Sequence, residues 1–162
     1  MDEIDFIILQ ELLLDCKRPI KQIAEKVNLS ITPVHERIKR MERSGVIHRY
    51  AAVIEPHALD MNLIVLMQIK LKEHQKAILK LLETEIRQFG EVLEAYFTAG
   101  DFDVYLKVLL RDMEDYNHFI LERISELTMI DSIKSSFAIR SVLDDDVSKH
   151  LLSPLNLKTI QG

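Results

Sequence analysis

Two stretches of this chain combine reactive side chains at spacings that would let them act together. The first reads LSITPVHERIKRMERSG and gathers Ser30, Thr32, His35, Glu36, Arg37, Lys39, Arg40 and Arg43. On a helix turning about 100° per residue, Val34, Ile38 and Met41 share one face. Thr32, His35, Glu36, Lys39 and Arg43 then point roughly the opposite way, with Arg40 at the edge and Arg37 flanking the core side. A helix entering the major groove places its N-terminal residues nearest the bases. Thr32, His35 and Glu36 are therefore candidates for base contacts, and Arg37, Lys39, Arg40 and Arg43 for phosphates. Glu36 repels phosphate but can accept a hydrogen bond from cytosine. The competing reading is a solvated basic face on a small helical bundle.

The second stretch is TAGDFDVYLKV, residues 98–108. Gly100-Asp101 is good hairpin-turn chemistry. Asp103 is a second acid beside an aromatic, heading into an apolar strand, and a turn does not require it. The stretch is therefore either a turn alone or a turn that also binds something.

Other chemistries find no support. The six histidines are scattered, and none pairs with cysteine or carboxylate at metal-ligand spacing. No phosphate-cradling glycine loop appears, and no nucleophile stands near a base. The sequence thus points to no enzyme, no metal and no cofactor. The single cysteine, Cys16, cannot form a disulfide within the chain, which fits a reducing cytoplasm. The acidic start MDEIDF lacks the basic region of a signal peptide. No apolar run approaches the roughly 20 residues of a membrane span.

Charge is unevenly distributed. The net charge is −5, yet residues 17–49 hold nine Lys/Arg against three acids, leaving −11 for the rest. A basic module joined to an acidic one directs the search for a polyanion site to the first third.

The elements that must position these residues follow from periodicity. Residues 2–16 read as a helix with Ile4, Ile8 and Leu12 on one stripe, widened by Leu9 and Leu13, and with first-turn acids suited to the helix dipole. Pro19 opens a short second helix with Ile23, Ala24 and Val27 inward. Asn28-Leu29-Ser30 is a tight connection, and Ser30 is a good N-cap for the third helix. Two short helices, the second of them basic, joined by a brief turn form a helix-turn-helix pattern. Val46 to Ile54 then reads as an extended linker strand. Beyond a hinge at 55–62, residues 63–143 read β-α-β-β-α-β: strands at 63–72, 92–98, 102–110 and 130–142, helices at 74–89 and from Met113 onward. The last helix presents Met113, Tyr116, Ile120, Ile124 and Leu127. This is the ferredoxin-like order, with both helices on one face of an antiparallel sheet. The other face, carrying Ile64 and Leu66, is the candidate dimer surface. Residues 144–162 form a C-terminal tail.

The run LSITPVHERIKRMERSGVIHRYAAVIEPHAL resembles the helix-turn-helix and linker of the leucine-responsive regulator/asparagine regulator (Lrp/AsnC) family. AGDFDVYLKV, a following DM-x-x-Y helix and a long final strand resemble that family's effector (RAM) domain. The likeness spans roughly residues 2–145, in the same module order. It implies an α+β chain with a winged-helix-like DNA-binding front at 1–54. It also implies a transcription regulator that binds double-stranded DNA, dimerises through the sheet domain, assembles further to tetramers or octamers, and responds to an amino acid or related small molecule bound between dimers. Ser30, Thr32, Pro33 and Arg37 match the recognition-helix motif. Glu36 leaves the operator sequence open, and Asp60, where the family often has glycine, leaves the hinge open. A free amino acid needs carboxylates or carbonyls for its ammonium and N–H or hydroxyl donors for its carboxylate. The expected effector residues are accordingly Thr98, Gly100, Asp101 and Asp103 with Thr128, Ser135 and Ser136, within one subunit or across two. Two other functions compete: an architectural DNA-binding protein with little ligand response, and a ligand-binding oligomer without DNA binding, favoured only by Glu36.

Overall fold

The computed structural model describes residues 1–141, which fall into two compact units, Met1–Val53 and Ile54–Ser141. The expected tail, and Val142 at the end of the expected final strand, lie outside the described residues.

In the first unit, α1 spans Glu3–Leu14. It starts with a reciprocal cap: the Asp2 carboxylate accepts the Asp5 N–H at 2.9 Å, and the Asp5 carboxylate accepts the Asp2 N–H at 3.0 Å. Helix α2 (Ile20–Lys26) follows Pro19, and α3 covers Ile31–Arg43. Asn28, in the turn between them, has φ 54°, a left-handed conformation that asparagine tolerates better than most residues. Ser30 stands at the N-cap of α3, but its hydroxyl makes no capping hydrogen bond, contrary to expectation. An N-cap oxygen serves the N–H of the second or third helical residue, and here the third is Pro33, which has none. The core is aliphatic: Ile8, Ile23, Ala24, Val27, Val34, Ile38 and Met41, with Ile4, Leu9 and Leu12 against it.

The extended reading of residues 46–54 did not become a strand. A strand needs a ladder partner, and the described part of this unit has no other strand to supply one. Instead the Ile47 N–H bonds the Met41 carbonyl at 3.1 Å, and the Tyr50 hydroxyl donates to Glu42 at 3.0 Å. Desolvation, then the Glu42 carboxylate, push the Tyr50 phenol up to about 12.

The second unit opens with a 3-10 turn, Pro56–Leu59, ended by Asp60 at φ 59°. It continues as β1 (Leu63–Leu71), α4 (Lys76–Ile86), β2 (Val92–Phe97), β3 (Val104–Leu110), α5 (Met113–Phe119) and β4 (Ile130–Phe137). The sheet is antiparallel in the order β2-β3-β1-β4, the ferredoxin-like arrangement expected. Alternation puts Val65, Met67, Ile69 and Leu71 of β1 and Val104, Leu106, Val108 and Leu110 of β3 in the core, under Leu82, Ile86, Phe89, Phe119, Ile124 and Leu127. The rings of Phe89 and Phe119 meet edge to face, 5.8 Å apart.

Two assignments shift. Met113 is half-exposed and Phe119 is buried in its stead. After Phe119 the chain makes a π-helical turn, Ile120–Ile124, with the Ser125 N–H on the Ile120 carbonyl at 2.9 Å. The extra residue resets the helical phase so that Tyr116, Phe119, Ile124 and Leu127 face the sheet. Strand β4 ends at Phe137, opposite Val65, with one more backbone bond beyond it, from the Ala138 N–H to the Ile64 carbonyl at 2.9 Å.

Candidate nucleic-acid interface and effector loop

Helix α3 presents the two faces that its periodicity requires. Val34, Ile38 and Met41 are buried, while Thr32, His35, Glu36, Lys39 and Arg43 are exposed, as is Ser30 at the helix start. The exposed residues recur at positions 32, 35/36, 39 and 43, forming one stripe along the helix. Lys39 lies 3.5 Å from Glu42, and Arg43 has no ion pair among the described residues.

Arg37 and Arg40 are placed differently. Arg37 Nη1 donates to Asp2 Oδ2 at 2.6 Å and to Asp5 Oδ1 at 2.8 Å, and Arg40 Nη2 donates to Asp5 Oδ2 at 2.7 Å. Asp5 is fully buried, Arg37 is 23% exposed and Arg40 58%. The Asp5 and then the Asp2 carboxylates raise the Arg37 guanidinium above its usual value. The Asp5 N–H, and then Arg37, lower the Asp2 carboxyl. A second buried acid, Glu11, pairs with Arg18 and Lys26 and ties α1 to α2 and the loop before it. Each of these acids therefore neutralises cations that had been counted towards the basic front. Over residues 1–53 the balance is nine bases against eight acids. The unit is nearly neutral, and its exposed cations without an ion pair among the described residues are Lys17, Lys21, Arg43 and Arg49. Sequence reasoning took Asp5 for a first-turn dipole acid. Its spacing with Ile8 and Leu12 was the available signal, since it puts Asp5 on the buried stripe.

In the second unit the stretch TAGDFDVYLKV is the β2–β3 connection, with Gly100 at φ 153°, which L side chains rarely adopt. Thr98 Oγ1 donates to the Phe102 carbonyl at 2.7 Å, closing the turn on itself. Asp103 is tied to β1: Oδ2 accepts the Leu71 N–H at 2.8 Å, and Oδ1 lies 2.8 Å from His74 Nε2. The Leu71 N–H, followed by His74, holds the Asp103 carboxyl below the usual carboxylate value. Lys70 Nζ donates to the Asp101 carbonyl at 2.7 Å and Lys72 Nζ to the Thr128 carbonyl at 2.8 Å. The loop from Thr98 to Asp103 and the loop holding Thr128 thus flank the C-terminal end of β1 from its two sides.

Ser135 and Ser136 stand apart from this group. They lie opposite Met67 and Leu66, roughly 13 and roughly 17 Å along β1 from Leu71 at strand rise. They also point to opposite faces of the sheet. Ser135 is on the helix side, where the Tyr116 hydroxyl donates to its Oγ at 3.0 Å and the Tyr116 ring meets Phe137 edge to face. Ser136 is on the open side beside Leu66. That open face carries exposed Leu66, Tyr96 and Tyr105; Ile64 and Leu109 form the next row beyond Leu66, and Lys107 and Gln68 lie between Leu66 and the tyrosine pair. Among the described residues no three acids, histidines or cysteines are grouped to hold a metal, and no helix is long and apolar enough to cross a membrane.

Comparisons with known proteins agree with this two-part organisation. Residues 1–48 match the model of the winged helix-turn-helix DNA-binding family, and residues 64–148 that of the Lrp/AsnC ligand binding domain. The chain is 32% identical over 146 residues to the proline dehydrogenase transcriptional activator of Rhodobacter capsulatus, covering 90% of this chain and 95% of that one. It is 32% identical over 142 residues to the leucine-responsive regulatory protein of Escherichia coli, covering 88% and 87%. Among solved structures, an AsnC family transcriptional regulator from Agrobacterium tumefaciens superposes with a TM-score of 0.84 at 33% identity, over 88% of this chain and 93% of that one. A transcriptional regulator from Neisseria meningitidis, in complex with L-Met, superposes at 0.87 with 24% identity, over 98% and 99%. With a helix-turn-helix in front of a matching ligand-binding sheet domain, the chain belongs to the Lrp/AsnC family of ligand-responsive, DNA-binding transcription regulators.

Proposed function

We propose that this regulator works in the cytoplasm as a homodimer that lays the outer stripe of α3 in the major groove and responds to an amino acid. The observation that carries the DNA reading is the exposure of Thr32, His35, Glu36, Lys39 and Arg43 along one side of α3, with Val34, Ile38 and Met41 buried on the other. Thr32, His35 and Glu36 would face base edges, with Ser30 at the helix N-terminus against the backbone. A single small helix-turn-helix buries too little surface for tight binding, so two copies would read half-sites about 34 Å apart or a multiple of that. The open sheet face with Leu66, Tyr96 and Tyr105 supports pairing through the second unit, because exposed aromatics on a sheet face are removed from water by a partner. Dimers would assemble further to tetramers or octamers.

The effector would sit at the C-terminal end of β1, between the loop of Thr98, Gly100, Asp101 and Asp103 and the loop of Thr128. Ser135 and Ser136, one on each face, would join it only from a neighbouring subunit. An amino-acid effector is supported by the matching ligand-binding domain, by a relative named for its response to leucine and by a structural neighbour bound to L-Met. Binding that prefers one assembly over another would change DNA affinity, typically by about 1–3 kcal/mol. The test is a duplex titration at fixed salt, with and without each amino acid, run beside a thermal-shift screen. Salt-dependent binding altered by at least one amino acid is expected. Unchanged affinity, assembly and melting across the whole set would overturn the effector reading.

A further inference from the structure

Neutralisation of Arg37 from inside the first unit changes which residues can meet DNA. A guanidinium has five N–H donors in a rigid fork. Arg37 commits its Nη1 to two carboxylates, one of them fully buried, and its side chain is mostly shielded. Asp5 in turn spends its oxygens on the Asp2 N–H, Arg37 and Arg40, and no buried polar side-chain atom is left without a partner among the described residues. Removing Arg37 to reach a phosphate would leave a buried carboxylate short of its charge partner, which is strongly unfavourable. Arg40 makes a single bond to Asp5 and keeps more than half its side chain in solvent, so it can hold Asp5 and still offer donors outward.

We infer that Asp5 is a positioning residue for DNA recognition: through Arg37 and Arg40 it fixes the roll of α3 on α1, and it withdraws Arg37 from the phosphate-binding set. Phosphate contacts fall to Lys39, Arg43 and the outer side of Arg40. The roll matters because Thr32, His35 and Glu36 lie within about one helical turn of one another, and a rotation of one residue step, about 100°, would exchange the edge presented to the bases. This inference rests on the DNA-binding reading above.

The salt dependence of binding separates the two roles. Each phosphate contact contributes about 0.9 to the slope of log K against log salt on duplex DNA. The probe is the full chain with a duplex selected from a random pool for tight binding to the parent, and an unselected duplex as control. Lys39→Gln and Arg43→Gln are expected each to lower the slope by about one at unchanged melting temperature. Arg37→Gln is expected to leave the slope unchanged and lower the melting temperature. Asp5→Asn keeps a hydrogen-bond acceptor but loses the charge. It is expected to reduce the selected-to-unselected affinity ratio at least tenfold, while affinity for the unselected duplex holds or rises as Arg37 is released. If Asp5→Asn does not fold, Arg37→Gln alone decides. A slope lowered by about one with an intact melting temperature makes Arg37 a phosphate ligand and sinks the inference. Equal loss on both duplexes for Asp5→Asn, with parental melting, removes the positioning role. A parent that binds neither duplex overturns the DNA reading itself, and the inference with it.

Discussion

Asp103→Ala removes a carboxylate that joins the β2–β3 loop to the end of β1. Its Oδ2 accepts the Leu71 N–H at 2.8 Å, and Leu71 is only 3% exposed, so water replaces that acceptor poorly. A hydrogen bond from a backbone N–H to a charged group contributes about 1.5–3 kcal/mol. The second contact, to His74, adds little, because the imidazole is 61% exposed and solvent screens the pair. The expected loss is about 2 kcal/mol, or roughly 8–16 °C in melting temperature for a unit of 60–100 residues. Asp103→Asn keeps an oxygen for the Leu71 N–H and should lose only about 0.5–1 kcal/mol. The pH dependence has a definite sign. The folded carboxyl lies below its ordinary 3.8, so its stabilisation is present above 3.8 and is lost as pH falls through the lower folded value. The gap between parent and Asp103→Ala should therefore be full at pH 7 and close below 3.8. Denaturant titration at fixed protein concentration, at neutral and acid pH, measures it. Parental stability for Asp103→Ala at pH 7 would refute the tie to β1. Parental stability in Asp103→Asn together with loss of amino-acid response would instead make the charge itself a ligand contact.

Four further outcomes test the structure. Glu11→Gln should destabilise the first unit by about 2 kcal/mol, because it leaves Arg18 and Lys26 without the buried partner they share; thermal unfolding reads this directly. Asp60→Gly should stabilise by roughly 0.5–1 kcal/mol, since φ 59° costs a side chain more than a glycine, and a drop in stability would mean the Asp60 side chain is needed there. Tyr116→Phe should cost about 1 kcal/mol by removing the hydroxyl bonded to Ser135 while keeping the ring against Phe137, as denaturant midpoints would record. Leu66→Glu places a charge on the open sheet face and should shift sedimentation towards monomer; an unchanged oligomer would move the pairing surface elsewhere.

Much of this molecule was legible from local pattern. The three helices of the front, the split β-α-β-β-α-β order and the alternating faces of β1 and β3 follow from 3.6- and 2-residue periods, because burial of one face imposes the period. Helix α5 was harder to read, since a π-helical turn changes phase without any compositional mark. The linker strand failed because strand formation depends on a partner, and no local sequence records whether one exists.

Sequence alone determined which residue types line each face: the polar stripe of α3, the glycine turn at Gly100-Asp101, the apolar side of the sheet. Tertiary structure decided which charges are spent internally. Asp5 and Arg37 are far apart in the chain, as are Asp103 and Leu71, so no spacing rule links them. Their pairing depends on how α1 meets α3 and how β3 registers on β1. A buried charge must find its partner wherever packing puts one, so Asp5 holds Arg37 across α1 and α3, and the Leu71 N–H likewise ties Asp103 to β1.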